Sequence, residues 1–144
     1  LLESRCRRAG VKIVLRLQTE LPAVLADRSL IEQAFLNLAV NGIQAMPSGG
    51  RLTVSSEVSE RVRLVVEDTG EGMPAEVLRR CFDPFFTTKQ VGQGSGMGLA
   101  VTHGIVASLG GTIEAESEPG RGSRFVIRLP AAGAPTPGGG DAAD

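Results

Sequence analysis

Four uncharged amides, Gln33, Asn37, Asn41 and Gln44, recur at helical spacing within the stretch SLIEQAFLNLAVNGIQAM, residues 29–46. At about 100° per residue they share one stripe. A buried amide is costly unless it is hydrogen-bonded or holds a ligand. The stripe therefore predicts the wall of a polar ligand cavity, with a solvated helix face as the plain alternative. A second feature is Asp68-Thr69-Gly70-Glu71-Gly72 at the end of a strand-like run. An ionised carboxylate only accepts hydrogen bonds. It suits the exocyclic amine of adenine and repels the carbonyl that guanine carries at the same place; the alternative is a simple Asp-capped turn. A third is Gly92-Gln93-Gly94-Ser95-Gly96-Met97-Gly98-Leu99, which opens directly into a helix pattern. Backbone N–H groups at a helix N-terminus favour anions, each dipole contact being worth roughly 0.3–1 kcal/mol. Phosphate is the natural guest, although flexible linkers are glycine-rich too. No Gly-Lys-Ser/Thr closes the loop, so it is not a P-loop. Lys89, after Thr87-Thr88, is within reach of a terminal phosphate or is a solvated loop charge. His103, the one histidine, lies one turn after Leu99 and is expected to pack, partly buried. No cluster supports a metal-ligand set or a Ser/His/Asp or Cys/His nucleophile.

The elements that must position these groups follow from periodicity and breakers. Val11 to Leu17 alternates as a strand. Ala23 to Ala26 reads as a short edge strand, and Asp27 or Ser29 caps the long helix, with Glu32 completing a capping box. Pro47-Ser48-Gly49-Gly50 stops that helix. Residues 51–58 and 61–67 read as an antiparallel hairpin. Pro74 to Phe82 is a short helix, and Asp83 to Met97 a long loop without a clear period, of the kind that is functional or disordered. Met97 to Leu109 is a third helix, followed by strands over Thr112 to Ser117 and Ser123 to Leu129. The fold class predicted is α/β: a two-layer sandwich, its mixed, mostly antiparallel sheet of about five strands covered on one face by three helices. Residues 1–10 read as the end of a preceding helical segment, 11–130 as the working domain and 131–144 as a disordered Gly/Ala/Pro tail.

Composition narrows the function classes. The chain has 144 residues, 42% of them hydrophobic, and a net charge of −1, which suits one domain with no general nucleic-acid or membrane-binding surface. No apolar run approaches the ~20 residues of a membrane span, and residues 1–10 lack a signal-peptide h-region. Cys6 and Cys81 imply no disulfide framework, so a cytoplasmic setting is the default. Five Phe with no Trp or Tyr argue against base stacking on single strands.

Taken in order, the amide-bearing helix, DxGxG, the DPFF segment, GxGxGxGL and the late GxGSxF resemble the catalytic ATP-binding domain of two-component sensor histidine kinases. That domain belongs to the superfamily of gyrase, the ATP-dependent heat-shock chaperones and mismatch-repair MutL. The resemblance covers residues 11 to 130, and FDPFFTTK, residues 82–89, looks like the nitrogen-regulation type in particular. It implies ATP and Mg²⁺ as cofactors. Asn41 matches the asparagine whose side-chain oxygen binds Mg²⁺, and Asn37 its catalytic partner one turn earlier. Asp68 matches the adenine-reading aspartate, with Gly70 and Gly72 closing that pocket. Phe82, Phe85 and Phe86 fall in the phenylalanine box. Gly94, Gly96 and Gly98 match the glycines of the lid over the phosphates, and Ser123 stands where relatives carry a Thr that holds adenine through water. Gln44, Met73, Thr88, Lys89, Ser95, Met97 and Leu99 complete the implied nucleotide contacts. Gln44 replaces a basic residue of many relatives, a charge that Lys89 is expected to supply. Gly42 stands where many carry Ala, with only a looser helix expected.

The phosphoacceptor histidine of that family lies on a preceding helical hairpin. His103 is followed by Gly104, so it is not that residue. The resemblance thus implies a catalytic half that phosphorylates a histidine of its own dimerisation domain, absent here, in a homodimeric kinase. A response-regulator receiver domain would follow, and the whole would be cytoplasmic or the cytoplasmic part of a membrane-bound sensor. At position 37 related hydrolases and anti-sigma serine kinases hold a Glu as general base; an amide cannot take a proton, which favours a histidine acceptor. The competing readings are a nucleotide-binding regulatory module without transfer and an anti-sigma-type serine kinase.

Overall fold

Apolar residues at every second position build five strands: Val11–Leu17 (β1), Gly50–Val58 (β2), Val62–Asp68 (β3), Thr112–Glu118 (β4) and Gly122–Leu129 (β5). Four helices accompany them: Leu2–Ala9 (α1), Arg28–Gln44 (α2), Ala75–Arg80 (α3) and Gly98–Ser108 (α4). The computed structural model describes residues 2–17, 28–58, 61–84, 86 and 98–130. The expected strand over 23–26, the turn at 59–60, the tail from 131 and most of the 83–97 loop lie outside those residues.

The strands form one sheet in the order β1-β2-β3-β5-β4. β1 and β2 are parallel, and every other neighbouring pair is antiparallel. A parallel pair needs a long crossover, and α2 lies in that connection. The mixed, mostly antiparallel sheet and the 51–67 hairpin thus stand as expected. Leu38, Ala39 and Met46 from the α2 region and Val106 of α4 close over Leu52, Val66, Phe125, Ile127 and Leu129 of the sheet. Each fully buried side chain of this size contributes roughly 1.5–3 kcal/mol.

The helical end expected over residues 1–10 is α1, on which Leu2, Cys6 and Ala9 put an apolar stripe. Cys6 is only 3% exposed and belongs to the same core as Leu38 and Val106, with Leu2 and Ala9 packed against it. Ser29 lies inside α2 instead of capping it; Asp27 lies outside the described residues.

The sheet's other face is charged. Arg63 pairs with Glu57, Arg124 with Glu116 at 3.2 Å and Arg128 with Glu114 at 2.9 Å. Such exposed pairs are worth about 0–1 kcal/mol each. Val65 and Val126 are buried on this face, where long arginine stems can cover apolar surface while the charges stay wet.

Candidate functional site

Asp68 ends β3 and is 4% exposed. Its Oδ1 accepts the N–H of Gly70 at 2.9 Å and that of Ser123 at 3.3 Å. Burial pushes its pKa above the ordinary carboxylate range; the two N–H bonds pull it back in part, and the neighbouring Glu67 adds a small push upward. Both backbone bonds fall on Oδ1, so Oδ2 remains for another donor. A β-carbon added at Gly42 would stand 3.4 Å from Oδ2 and 2.9 Å from Leu52 Cδ1. Gly42 is therefore more than a looser point in α2: it is where the helix passes over the carboxylate. A cavity of about 500 Å³ adjoins Asp68, lined among others by Leu78, Ala115, Ser117, Arg121 and Ser123.

The loop after Asp68 is fastened to both neighbours through its main chain. Glu71 N–H donates to Ala45 O at the end of α2, 3.1 Å, and Gly120 N–H donates to Glu71 O, 2.7 Å. At Gly70 a β-carbon would lie 2.4 Å from Ala45 O. At Gly72, with φ +73°, it would lie 2.0 Å from Glu118 O. Neither position has room for a side chain, so both glycines are required by the protein itself. Met73 N–H donates to Ser117 Oγ at 2.7 Å, and Ser117 Oγ lies 2.9 Å from Ser123 Oγ. Ser117 was not among the residues expected at the site. A serine at a half-exposed strand position carries no distinguishing pattern; only its register opposite Ser123 marks it out.

Of the amide stripe, Asn37 and Asn41 are half-buried while Gln33 and Gln44 are exposed. The stripe is thus the rim of the site, not a buried wall. Asn37 Nδ2 donates to Gly98 O at 3.4 Å, a long bond that ties α2 to the first residue of α4. Thr102 Oγ1 donates to the same carbonyl at 2.8 Å. Among the described residues, and apart from the helix's own backbone, no atom stands within 4 Å of where a β-carbon of Gly98 would be. Leu99 packs against the core. Phe82 lies edge-on to Phe125, centroids 6.2 Å apart, and Phe86 lies beneath the Arg80 guanidinium at 4.4 Å. His103 is exposed, not partly buried as expected, because the buried face of α4 runs through Thr102, Ile105 and Val106; its ring still packs on Phe82 at 5.3 Å. Phe85, Thr88, Lys89, Gly94, Ser95, Gly96 and Met97 lie outside the described residues.

The donor set fits a nucleotide with its metal. Among the described residues the hydrogen bonds to Asp68 fall on Oδ1, which leaves Oδ2 for an amine donor. Among the described residues no group of three or more His, Cys, Asp or Glu side chains could hold a metal. Mg²⁺ does not need one: it is commonly held by one or two protein oxygens together with phosphates and water, and the Asn41 amide offers such an oxygen.

The family described as "Histidine kinase-, DNA gyrase B-, and HSP90-like ATPase" matches residues 26–133. The sensor kinase CckA of Brucella abortus is 43% identical over 123 residues, covering 74% of this chain and 13% of that protein. The sensor histidine kinase ZraS of Escherichia coli K12 is 44% identical over 111 residues, 76% of this chain and 23% of its own length. Sporulation kinase A of Bacillus subtilis is 35% identical, 90% and 21% respectively. The chain therefore spans about a quarter or less of these relatives. Among solved structures, the nucleotide-free catalytic domain of histidine kinase ThkA superposes with a TM-score of 0.79 at 32% identity, covering 90% of this chain and 85% of that one. Full-length ShkA in complex with AMPPNP gives 0.80 at 30% identity, covering 90% and 27%.

Proposed function

Since the chain belongs to the histidine kinase-, DNA gyrase B- and HSP90-like ATPase family, we propose that it binds Mg-ATP and donates the terminal phosphoryl group to a histidine on another domain of a sensor kinase. The observation that carries this reading is the buried Asp68: Oδ1 is occupied by two backbone N–H groups, and Oδ2 is left for a base that brings an amine. The relative ShkA, solved with AMPPNP, supports an adenine nucleotide as the ligand class.

The division of labour follows from chemistry. Phosphoryl transfer asks for positioning and charge neutralisation more than for covalent participation. Asp68 orients the base, and the Gly70–Met73 loop, stapled to α2 and the β4–β5 turn, closes around it. Gly98, at the N-terminus of α4, presents its backbone to the phosphates, with Gly94 and Gly96 before it. When bound through Asn41 and phosphate oxygens, Mg²⁺ neutralises triphosphate charge. Asn37 holds Gly98 and cannot act as a base, which suits an imidazole acceptor better than water or serine. Gln44, Thr88, Lys89, Ser95 and Met97 are assigned to the phosphate side, and Met73, Phe86, Leu99 and Ser123 to the base side.

In this reading α1 is the end of the histidine-bearing hairpin, the whole kinase works as a homodimer, and a receiver domain takes the phosphoryl group onward. The residues 82–89 favour the nitrogen-regulation type. No described helix is long and apolar enough to cross a membrane, and a cytoplasmic placement is assigned to this domain. The test is to mix the domain with ATP and a separately produced histidine hairpin. Acid-labile, alkali-stable phosphorylation of the hairpin is expected. Tight ATP binding without transfer would make the chain a regulatory module instead, and phosphoserine on a partner would make it an anti-sigma-type kinase.

A further inference from the structure

Ser117 lines the same cavity as Asp68, and its hydroxyl takes part in three hydrogen bonds. Its Oγ accepts Met73 N–H at 2.7 Å, donates to Gly122 O at 2.9 Å, and lies 2.9 Å from Ser123 Oγ. A hydroxyl has one hydrogen and two lone pairs. With its hydrogen on Gly122 O, the bond to Ser123 must be donated by Ser123. Ser117 is then saturated, with two acceptances and one donation. Ser123 has spent its hydrogen and keeps only lone pairs. Asp68, which lines the same cavity as Ser117 and Ser123, also offers only acceptor atoms.

We propose that Ser117 is a positioning and specificity-determining residue: it fixes the proton of Ser123 so that the base end of the site presents acceptors alone. The inference rests on the nucleotide reading above and deepens it. An acceptor-only end takes a purine whose 6-position carries an amine and rejects one whose 6-position is a carbonyl. Asp68 alone does not secure this, because a Ser123 hydroxyl turned inward would donate to such a carbonyl. Discrimination is therefore shared between the carboxylate and a hydroxyl whose direction Ser117 sets.

The test compares the affinities of ATP and inosine triphosphate, which differ in the base at the 6-position and at N1–H. Ser117→Ala frees the Ser123 hydroxyl and is expected to lower the ATP-to-ITP preference about 3- to 10-fold, the value of one ordinary hydrogen bond. Ser117→Thr keeps the hydroxyl and should restore the parent ratio. In Ser117→Ala/Ser123→Ala no hydroxyl remains to turn inward, and the preference should return toward that of the parent. A Ser117→Ala protein that loses affinity for both nucleotides equally, with the ratio unchanged, would show that Ser117 only supports the Met73 backbone and would overturn the inference. Failure of the parent protein to bind either nucleotide would instead end the nucleotide reading, and this inference with it.

Discussion

Asp68→Asn separates what the carboxylate does for the fold from what it does for the ligand. Both backbone bonds fall on Oδ1, and asparagine keeps an oxygen there, so the turn at Gly70 and the start of β5 retain their acceptor. The other atom changes from an acceptor to an amide donor and faces the amine of the base donor to donor. Loss of one charge-assisted bond costs about 1.5–3 kcal/mol, or about 12- to 150-fold in Kd. Burial raises the Asp68 pKa, so the folded protein holds this proton more tightly than the unfolded chain does. Ionisation of Asp68 therefore costs stability as pH rises from the ordinary carboxylate range through its raised value, and the substitution removes that cost. Nucleotide binding has the opposite dependence, since it needs the ionised form and weakens as pH falls through the same window. Calorimetry with ADP and thermal melts across this range read both. An Asp68→Asn protein that binds within threefold of the parent would refute the role of Oδ2. One that melts several degrees lower would refute the claim that the charge is a burden on the fold.

Three further outcomes are expected. Gly72→Ala places a β-carbon 2.0 Å from Glu118 O at φ +73°; left-handed backbone alone costs a β-carbon about 1–2 kcal/mol, so denaturant titration should show at least that loss, with nucleotide affinity falling alongside. A cavity of about 60 Å³ between α2, α4 and the sheet is lined by Val106, Leu38, Phe35 and Ile127; Val106→Ile adds one methylene, worth about 0.8 kcal/mol, and should raise the melting temperature by a few degrees, whereas a fall would show that the space is already filled. Burial pushes the Cys81 thiol up to about 11, its own backbone N–H lowers it in part and Asp83 raises it; iodoacetamide at neutral pH should leave Cys81 unmodified in the native protein and label it once denatured.

The strands were legible because alternation and Pro/Gly turns agree residue by residue: Gly49-Gly50 and Pro119-Gly120 fall at the ends of strands in the structure as in the pattern. Asp68 stands out because a carboxylate between a strand and two glycines can face a pocket, although the same pattern also fits an Asp-capped turn. Other features depend on which neighbour covers which face, and no local period contains that. His103 falls one turn after a partly buried leucine, yet the packed stripe of α4 passes beside it. Leu36 looks like a core residue on α2 and is 45% exposed, because the helix turns its other side to the sheet. A helical end over residues 1–10 is legible in the pattern, but its packing into the core through Cys6 is not. Ser117 depends on a pairing across β4 and β5 that only the register supplies.

The carboxylate is fixed by main-chain donors, and main chain is what mutation alters least. Almost any residue at position 123 would still present its N–H to Asp68, and only proline would delete that donor. The anchoring can thus outlive the side chains around it. Side-chain changes elsewhere leave this anchor in place as long as the acid and the narrow backbone crossings at Gly70, Gly72 and Gly122 persist.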